Sequence, residues 1–207
     1  MNSNPDVSII ITNYNYEKYI SRAIRSCINQ RHVNHEVIVI DDCSTDNSIN
    51  VIRPFGDKIR VLKTRENSGV AAASNVGVSA ARGQFFIRVD ADDYVNADMC
   101  YMMKAFLEAN HDTFCVSCDY LMVDDLENVL ERRYAEKENI SCGIMYRRDI
   151  FLQTGGYNDK MRHREEEELR KRLGHNYKIE HLKIPFYRYR MHNTNKTKEP
   201  EYKTWEI

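Results

Sequence analysis

Four short apolar runs, each followed by a stretch with helical character, limit what this chain can fold into more than any other feature of its sequence. "VSIIIT" (Val7 to Thr12) is continuous and of strand length, and behind it Tyr19, Ile20, Ala23, Ile24, Cys27 and Ile28 recur at the spacing of one helix face. "EVIVID" (Glu36 to Asp41) predicts a second strand, and the "DCSTDNS" after it offers Ser and Asp N-caps for a helix running to about Ile52. "IRVLK" (Ile59 to Lys63) predicts a third, followed by an Ala/Val-rich helix over Val70 to Ala81 that Gly83 ends; "QFFIRVD" (Gln84 to Asp90) predicts a fourth. Strands covered on both faces read as apolar runs, and helix-length crossovers join parallel neighbours. The expected fold is therefore α/β, a mostly parallel sheet with helices on both faces.

In such sheets the ligand crevice lies at the carboxyl ends of the strands. Here those ends are "TNYN", "DDCS" and "DADD", three polar clusters brought to one edge. "VDADDY" (Val89 to Tyr94) holds three aspartates in four positions. A turn or a helix cap accounts for one of them. Three crowded carboxylates repel one another, and a bound cation is the cheapest way to hold them, so convergence on a crevice favours a metal site over a polar turn. No GxGxxG follows the first strand and no GxxxxGK[ST] occurs, which disfavours a dinucleotide fold and a P-loop. Mg²⁺ or Mn²⁺ can bridge carboxylates and phosphate oxygens, so a nucleotide diphosphate is the ligand that fits.

The 207 residues, 42% hydrophobic and 29% charged, suit one or at most two domains, and a net charge of −1 argues against a general nucleic-acid binder. No apolar stretch approaches the roughly 18 residues of a membrane span, and "MNSNPDVSIII" lacks the basic start and apolar core of a signal peptide. The expected location is cytoplasmic. Six scattered cysteines agree with it, and "CVSC" at Cys115 to Cys118, without a second Cys/His pair at zinc-ribbon spacing, reads as packed strand thiols.

From "VSIIITNYNYEKYISRAIRSCINQ" through "EVIVIDDCSTDNS", "NSGVAAASNVGVSAARGQFFIRVDADD" and "GGYND" to "YRMHNTNKT", the chain resembles the inverting glycosyltransferases of family 2, with the GT-A fold. The resemblance implies a single GT-A domain over 1–207, with a Rossmann-like nucleotide-sugar half to about residue 111 and an acceptor-binding half with a small antiparallel portion from about 112. It implies that Thr12 and Tyr14 line the base pocket, that Asp41 accepts from uracil N3, and that Asp90 and Asp92 hold the donor, while Asp42 reads as an ordinary helix cap. Asp92 or Asp93, with His192, would hold Mn²⁺ or Mg²⁺. Glu166 in "REEEELRKRL" falls where the family carries its catalytic Asp, although Glu166/Arg170, Glu167/Lys171 and Glu168/Arg172 are also the i,i+4 pairs of an ordinary exposed helix. Ser74 stands where many relatives have Arg, leaving Arg65 or Arg88 to supply a basic donor contact.

The implied reaction is metal-dependent transfer of one sugar, with inversion, from a UDP-sugar to a hydroxyl of a glycan or lipid-linked acceptor, in the synthesis of a surface polysaccharide or glycoconjugate. A short chain without a QxxRW signature reads as non-processive, and "KTKEPEYKTWEI" gives a slight hint of peripheral contact with the inner face of the membrane. Two other readings stay open: a catalytically silent sugar-nucleotide or glycan-binding module, and a sugar-nucleotide pyrophosphorylase, which should show a Gly-rich basic loop where this chain has "TNYNYEKY".

Overall fold

The computed structural model describes residues 4–138, 140–174, 178–193 and 195. The predicted strands form as β1 (Val7–Asn13), β2 (His35–Asp41), β3 (Arg60–Lys63) and β4 (Phe85–Asp90), and the predicted helices as α1 (Ile20–Ile28), α2 (Ser48–Ile52) and α3 (Val70–Ala80). Beyond them come β5 (Tyr94–Val95), α4 (Met99–Ala109), β6 (Cys115–Val123), β7 (Val129–Arg133), β8 (Ile144–Arg147), α5 (Arg148–Gln153), α6 (Glu165–Leu173) and β9 (Ile179–Arg190).

All nine strands join one sheet in the order β3-β2-β1-β4-β8-β6-β9-β5, with β7 paired to β6. The first four are parallel. β8 then runs antiparallel between β4 and β6. The far portion is mixed: β9 lies parallel to β6 along most of its length and antiparallel to β5. The antiparallel C-terminal portion expected from the sequence is thus interrupted by one long parallel pair.

Alternation along each strand sorts the core into two layers. Ile9, Ile11, Val37, Val39, Ile87 and Val89 face one side, against Ile20, Ile24 and Cys27 of α1 and Met99, Met103 and Leu107 of α4. Ile10, Ile38, Ile40 and Phe86 face the other, against Ala71, Ala73 and Val78 of α3, Phe151 of α5 and Leu169 of α6. α3 lies so close to β1 that a Cβ on Gly77 would come within 2.5 Å of Ile10 Cγ2. Cys115 and Cys118 fall in opposite layers, and both are buried free thiols, as the strand reading of "CVSC" requires. Among the described residues no helix is long and apolar enough to cross a membrane.

The pairing also fixes where a ligand can sit. Asn13 is level with Asp41, and Thr12 with Asp90, so β1, β2 and β4 end together. Their polar ends open into one cleft.

Candidate active site

Thr12, Asn13, Tyr14 and Tyr16 from the end of β1 line one end of this cleft together with Asp42. Thr12 and Tyr14, expected at the base pocket, both reach the cleft. Asp41 does not: it is fully buried, and takes the side-chain N–H of Asn13 on Oδ1 at 3.0 Å and the Ser44 backbone N–H on Oδ2 at 3.2 Å. Asp42 is the carboxylate on the cleft wall. Its Oδ1 accepts from Thr64 and from the Ser68 N–H, and its Oδ2 from the Gly69 N–H at 2.8 Å. Gly69 makes that contact at a φ of 88°, a conformation that suits glycine. Asp42 thus takes the backbone N–H groups just ahead of α3, as a cap does, and also reaches the cleft, whereas Asp41 turns inward.

At the end of β4, Asp92 meets His192 across 100 positions of sequence: Asp92 Oδ2 lies 2.9 Å from His192 Nε2, and both side chains are buried. Arg190 fixes Asp92 from behind by donating Nε–H to its carbonyl at 3.0 Å. His192 is set by its own N–H, which donates to Asn195 Oδ1, and by the rings of Tyr16 and Tyr19, whose centroids lie 6.0 and 4.7 Å from the imidazole. Burial, followed by the charges of Asp92, Asp90 and Asp93, pushes the Tyr16 hydroxyl far above its ordinary range, so it remains a neutral phenol beside the carboxylates.

Asp93 points elsewhere. Its Oδ1 accepts the Arg190 N–H and its Oδ2 the Tyr187 hydroxyl, each at 2.8 Å. Burial first, then the charges of Asp92 and Asp90, raises its carboxyl well above the usual range. Asp90, Asp93 and Cys142 nevertheless bring one donor atom each within 4.8 Å of one another.

Asp92 Oδ2 and His192 Nε2 are donor types suited to a divalent ion, and in this structure they are hydrogen-bonded to each other at 2.9 Å. Both oxygens of Asp93 are already engaged by the protein.

The opposite wall comes from α6 and the residues before it. Glu165 and Glu167 line the cleft, with Arg162, His163, Arg164 and Arg170. Glu166 does not face it. It is 1% exposed, packed in the layer beneath the sheet, where its Oε2 accepts the Tyr146 hydroxyl at 2.5 Å and Arg170 Nε approaches Oε1 at 3.6 Å. Burial is the main reason that its carboxyl is raised to about 7, against the opposing pull of Tyr146 and Arg170. The residue expected to be the base thus has a base-like pKa and a position behind the wall. The exposed-helix expectation also holds only in part: the Glu168–Arg172 pair forms at 2.9 Å on the outside, while Glu165 and Glu166 are buried.

Sequence reasoning left Arg65 and Arg88 unranked. Arg88 lines the cleft, with its guanidinium between Asp90 and Glu165. The available signal was a charged residue inside the apolar strand "FFIRVD". Asn195, which the resemblance placed in register beside His192, is also on the cleft, as is Cys142, which carried no signal of its own.

Four parallel strands at the head of a mixed sheet, whose ends open into a carboxylate-lined cleft with a histidine set beside one aspartate, make this an α/β protein with its cleft at the strand ends. The family model described as "Glycosyl transferase family 2" matches residues 8–196, and the chain belongs to that family. The hyaluronan synthase of Pasteurella multocida is 30% identical over 208 residues, covering 94% of this chain and 21% of the synthase. EpsE of Bacillus subtilis, described as a glycosyltransferase, is 30% identical over 183 residues, 82% of this chain and 66% of that protein. The chain therefore spans only part of the relatives that it matches.

Solved structures agree on the fold. Staphylococcus aureus TarS 1–349 in complex with UDP-GlcNAc superposes with a TM-score of 0.79 at 22% identity, over 98% of this chain and 62% of that one. The mannosyltransferase PcManGT from Pyrobaculum calidifontis, in complex with GDP-Man and Mn²⁺, gives 0.75 at 22%, over 94% and 59%. The GT-A fold expected from the sequence is the fold of this chain.

Proposed function

We propose that the chain is a metal-dependent inverting glycosyltransferase that moves one sugar from a UDP-sugar to a hydroxyl of a glycan or lipid-linked acceptor, in the making of a surface polysaccharide or glycoconjugate. The observation that carries this reading is the Asp92–His192 pair, 2.9 Å apart on a cleft that also holds Asp90. Asp92 and His192 would hold Mn²⁺ or Mg²⁺, which when bound supplies positive charge against the leaving diphosphate. Asp42, with Thr12 and Tyr14 beside it, is the acceptor for the N3–H of uracil, in place of Asp41. Residues up to about 111, joined by His192, supply this donor half, and the rest of the chain from about 112 the acceptor half.

Proton removal from the acceptor falls to the first turn of α6. Glu165 and Glu167 stand on the cleft. Glu166, at the family's position, reaches it only by giving up Tyr146. The burial of Glu166 is also the one observation that favours a binding module that keeps the pocket and lacks the base. The six cysteines, five of them buried and all free, fit a reducing compartment such as the cytoplasm. The tail "KTKEPEYKTWEI", from which peripheral membrane contact was expected, lies outside the described residues.

The deciding experiment measures binding of UDP, UDP-sugars and GDP-mannose with and without Mn²⁺, then transfer to a glycan panel by wild type and by the Glu165→Gln, Glu166→Gln and Glu167→Gln variants. Metal-dependent UDP-sugar binding with transfer supports the reading, and a fall of about 10²–10⁴-fold in one variant identifies the base. Binding without transfer to any acceptor makes the chain a binding module. Absence of nucleotide binding overturns both.

A further inference from the structure

Resting on that reading, we propose that the acceptor is an anionic glycan, and that a depression beside the cleft, lined by Lys137, Arg170 and His181, receives the negative group of a unit next to the one being glycosylated. The depression measures about 280 Å³ and belongs wholly to the acceptor half. Arg170 lines both it and the cleft, so the two are neighbours along α6. From Glu167 on the cleft to Gly174 at the far end of the depression is roughly 10 Å, at about 1.5 Å per helical residue. A group held there belongs to a neighbouring unit of a chain, not to the sugar whose hydroxyl reacts.

The balance of charge around the depression is positive. Each carboxylate near His181 is matched by a cation of its own: Glu136 by Lys183 at 3.1 Å, Glu180 by Lys178 at 2.6 Å and Asp119 by Arg132 at 2.7 Å. Lys137 is exposed and makes no ion pair among the described residues. Arg170 meets one carboxylate among them, Glu166, whose Oε1 stands 3.6 Å from Nε, too far for a hydrogen bond. Burial raises that carboxyl to about 7, so at neutral pH it supplies only part of a counter-charge. Two cations therefore line one concavity without full compensation.

His181 adds a neutral donor. Burial holds its ring below the usual range, so it is uncharged at neutral pH. Its Nδ1 lies 2.6 Å from the hydroxyl of the buried Ser117, and when that hydroxyl donates to Nδ1 the ring hydrogen stays on Nε2. An ammonium, a guanidinium and an imidazole N–H all donate and none accepts, which suits a compact oxyanion, either a phosphodiester or a carboxylate. A neutral glycan has hydroxyls for these donors but no charge for Lys137 and Arg170.

The experiment measures transfer from UDP-sugars in Mn²⁺ to uronate-containing oligosaccharides, polyol-phosphate oligomers and neutral oligosaccharides of equal length. One anionic set should show a KM about tenfold below the neutral set at low salt, and the advantage should vanish in about 0.5 M NaCl, which screens exposed charges. Which set is preferred tells carboxylate from phosphate. Arg170→Gln should raise KM for that set about tenfold and Lys137→Gln about two- to fivefold, the ranges for a hydrogen bond to a charged group and for an exposed ion pair. In Lys137→Gln kcat should hold and KM for neutral oligosaccharides should not move. Melting curves control for folding, and the exposed Lys137 keeps the test open if Arg170→Gln disturbs Glu166 beside it. If no set is glycosylated, acceptor affinity by calorimetry replaces KM, with the same ratios expected. Equal values for anionic and neutral sets, or an equal rise for both in Lys137→Gln, overturn the inference and leave the glycosyltransferase reading standing. A wild type that binds no nucleotide overturns that reading, and this inference with it.

Discussion

Replacing Glu166 with glutamine should remove a pH dependence from the stability of the folded chain. The buried carboxyl has a pKa raised from 4.5 to about 7, mainly by its removal from water. Between those values the native state keeps a proton that the unfolded chain has released, so stability falls as pH rises. The contribution is fully present below 4.5 and lost as pH passes through about 7. Raising a pKa from 4.5 to about 7, at about 1.36 kcal/mol per pH unit, corresponds to about 3 kcal/mol. Glutamine mimics the protonated acid and still accepts from Tyr146, so the variant lacks this slope. Glu165, Arg88, Arg170, Tyr157 and Cys115 surround the site in both proteins, and most of their own titration cancels in the difference. Urea unfolding from about pH 4.5 to about pH 8 should show the variant gaining about 3 kcal/mol on wild type across the range. Tyr146→Phe removes the hydrogen bond that favours the carboxylate, and should move the midpoint of the wild-type loss to higher pH. Parallel curves for wild type and Glu166→Gln, within about 0.5 kcal/mol, would refute the burial of Glu166 against Tyr146 and return it to the cleft as a solvated carboxylate.

Asp92→Ala and His192→Ala should each abolish Mn²⁺-dependent UDP binding in calorimetry with little change in melting temperature, whereas Asp93→Ala should cost about 2–3 kcal/mol in urea unfolding, because it strands the Tyr187 hydroxyl and the Arg190 N–H. Wild type should prefer UDP to CDP by about 1–3 kcal/mol; Asp42→Ala should erase that preference, and competition binding that shows it intact would exclude Asp42 from base recognition. Gly77→Ala should lower stability by about 1–3 kcal/mol, because its Cβ would stand 2.5 Å from Ile10 Cγ2, and a thermal melt unchanged from wild type would mean that α3 is free to move away from β1.

The first half of the fold was legible because each signal is local. β1 to β4 are apolar runs bounded by polar turns, and α1 and α3 follow from spacing within a dozen residues. The far half was less so. β9 finds β6 by pairing Cys115 with Ile179 and onward, a register that no neighbouring residue announces. Within the site, the sequence located clusters and missed which member faces the cleft. Asp41 and Asp42 are neighbours at a strand end, and their roles depend on how the 64–69 loop arrives to cap Asp42. Four consecutive glutamates at the start of α6 present the same difficulty in helical form. Which of them turns inward depends on where the first turn begins and on Tyr146 beneath it, neither of which "REEEELRKRL" reveals. His192 was found by resemblance alone, since nothing near it in sequence points to Asp92.

That separation has a consequence for the order of assembly. The pairings of β1 with β2 and of β2 with β3 close over 28 and 22 positions, whereas β4 reaches β1 across 78, and the cleft is completed by Tyr187, Arg190 and His192 docking onto Asp93 and Asp92, contacts spanning 94 to 100 positions. Long-range closure carries the larger entropic cost and comes late in folding. A nascent chain therefore presents the β1–β3 pairings before it has a complete cleft, which is finished only as β9 takes its place between β6 and β5. A nucleotide diphosphate with its metal, added during refolding, should stabilise that last step alone, speeding the gain of the native His192 environment and leaving the early growth of helical signal untouched.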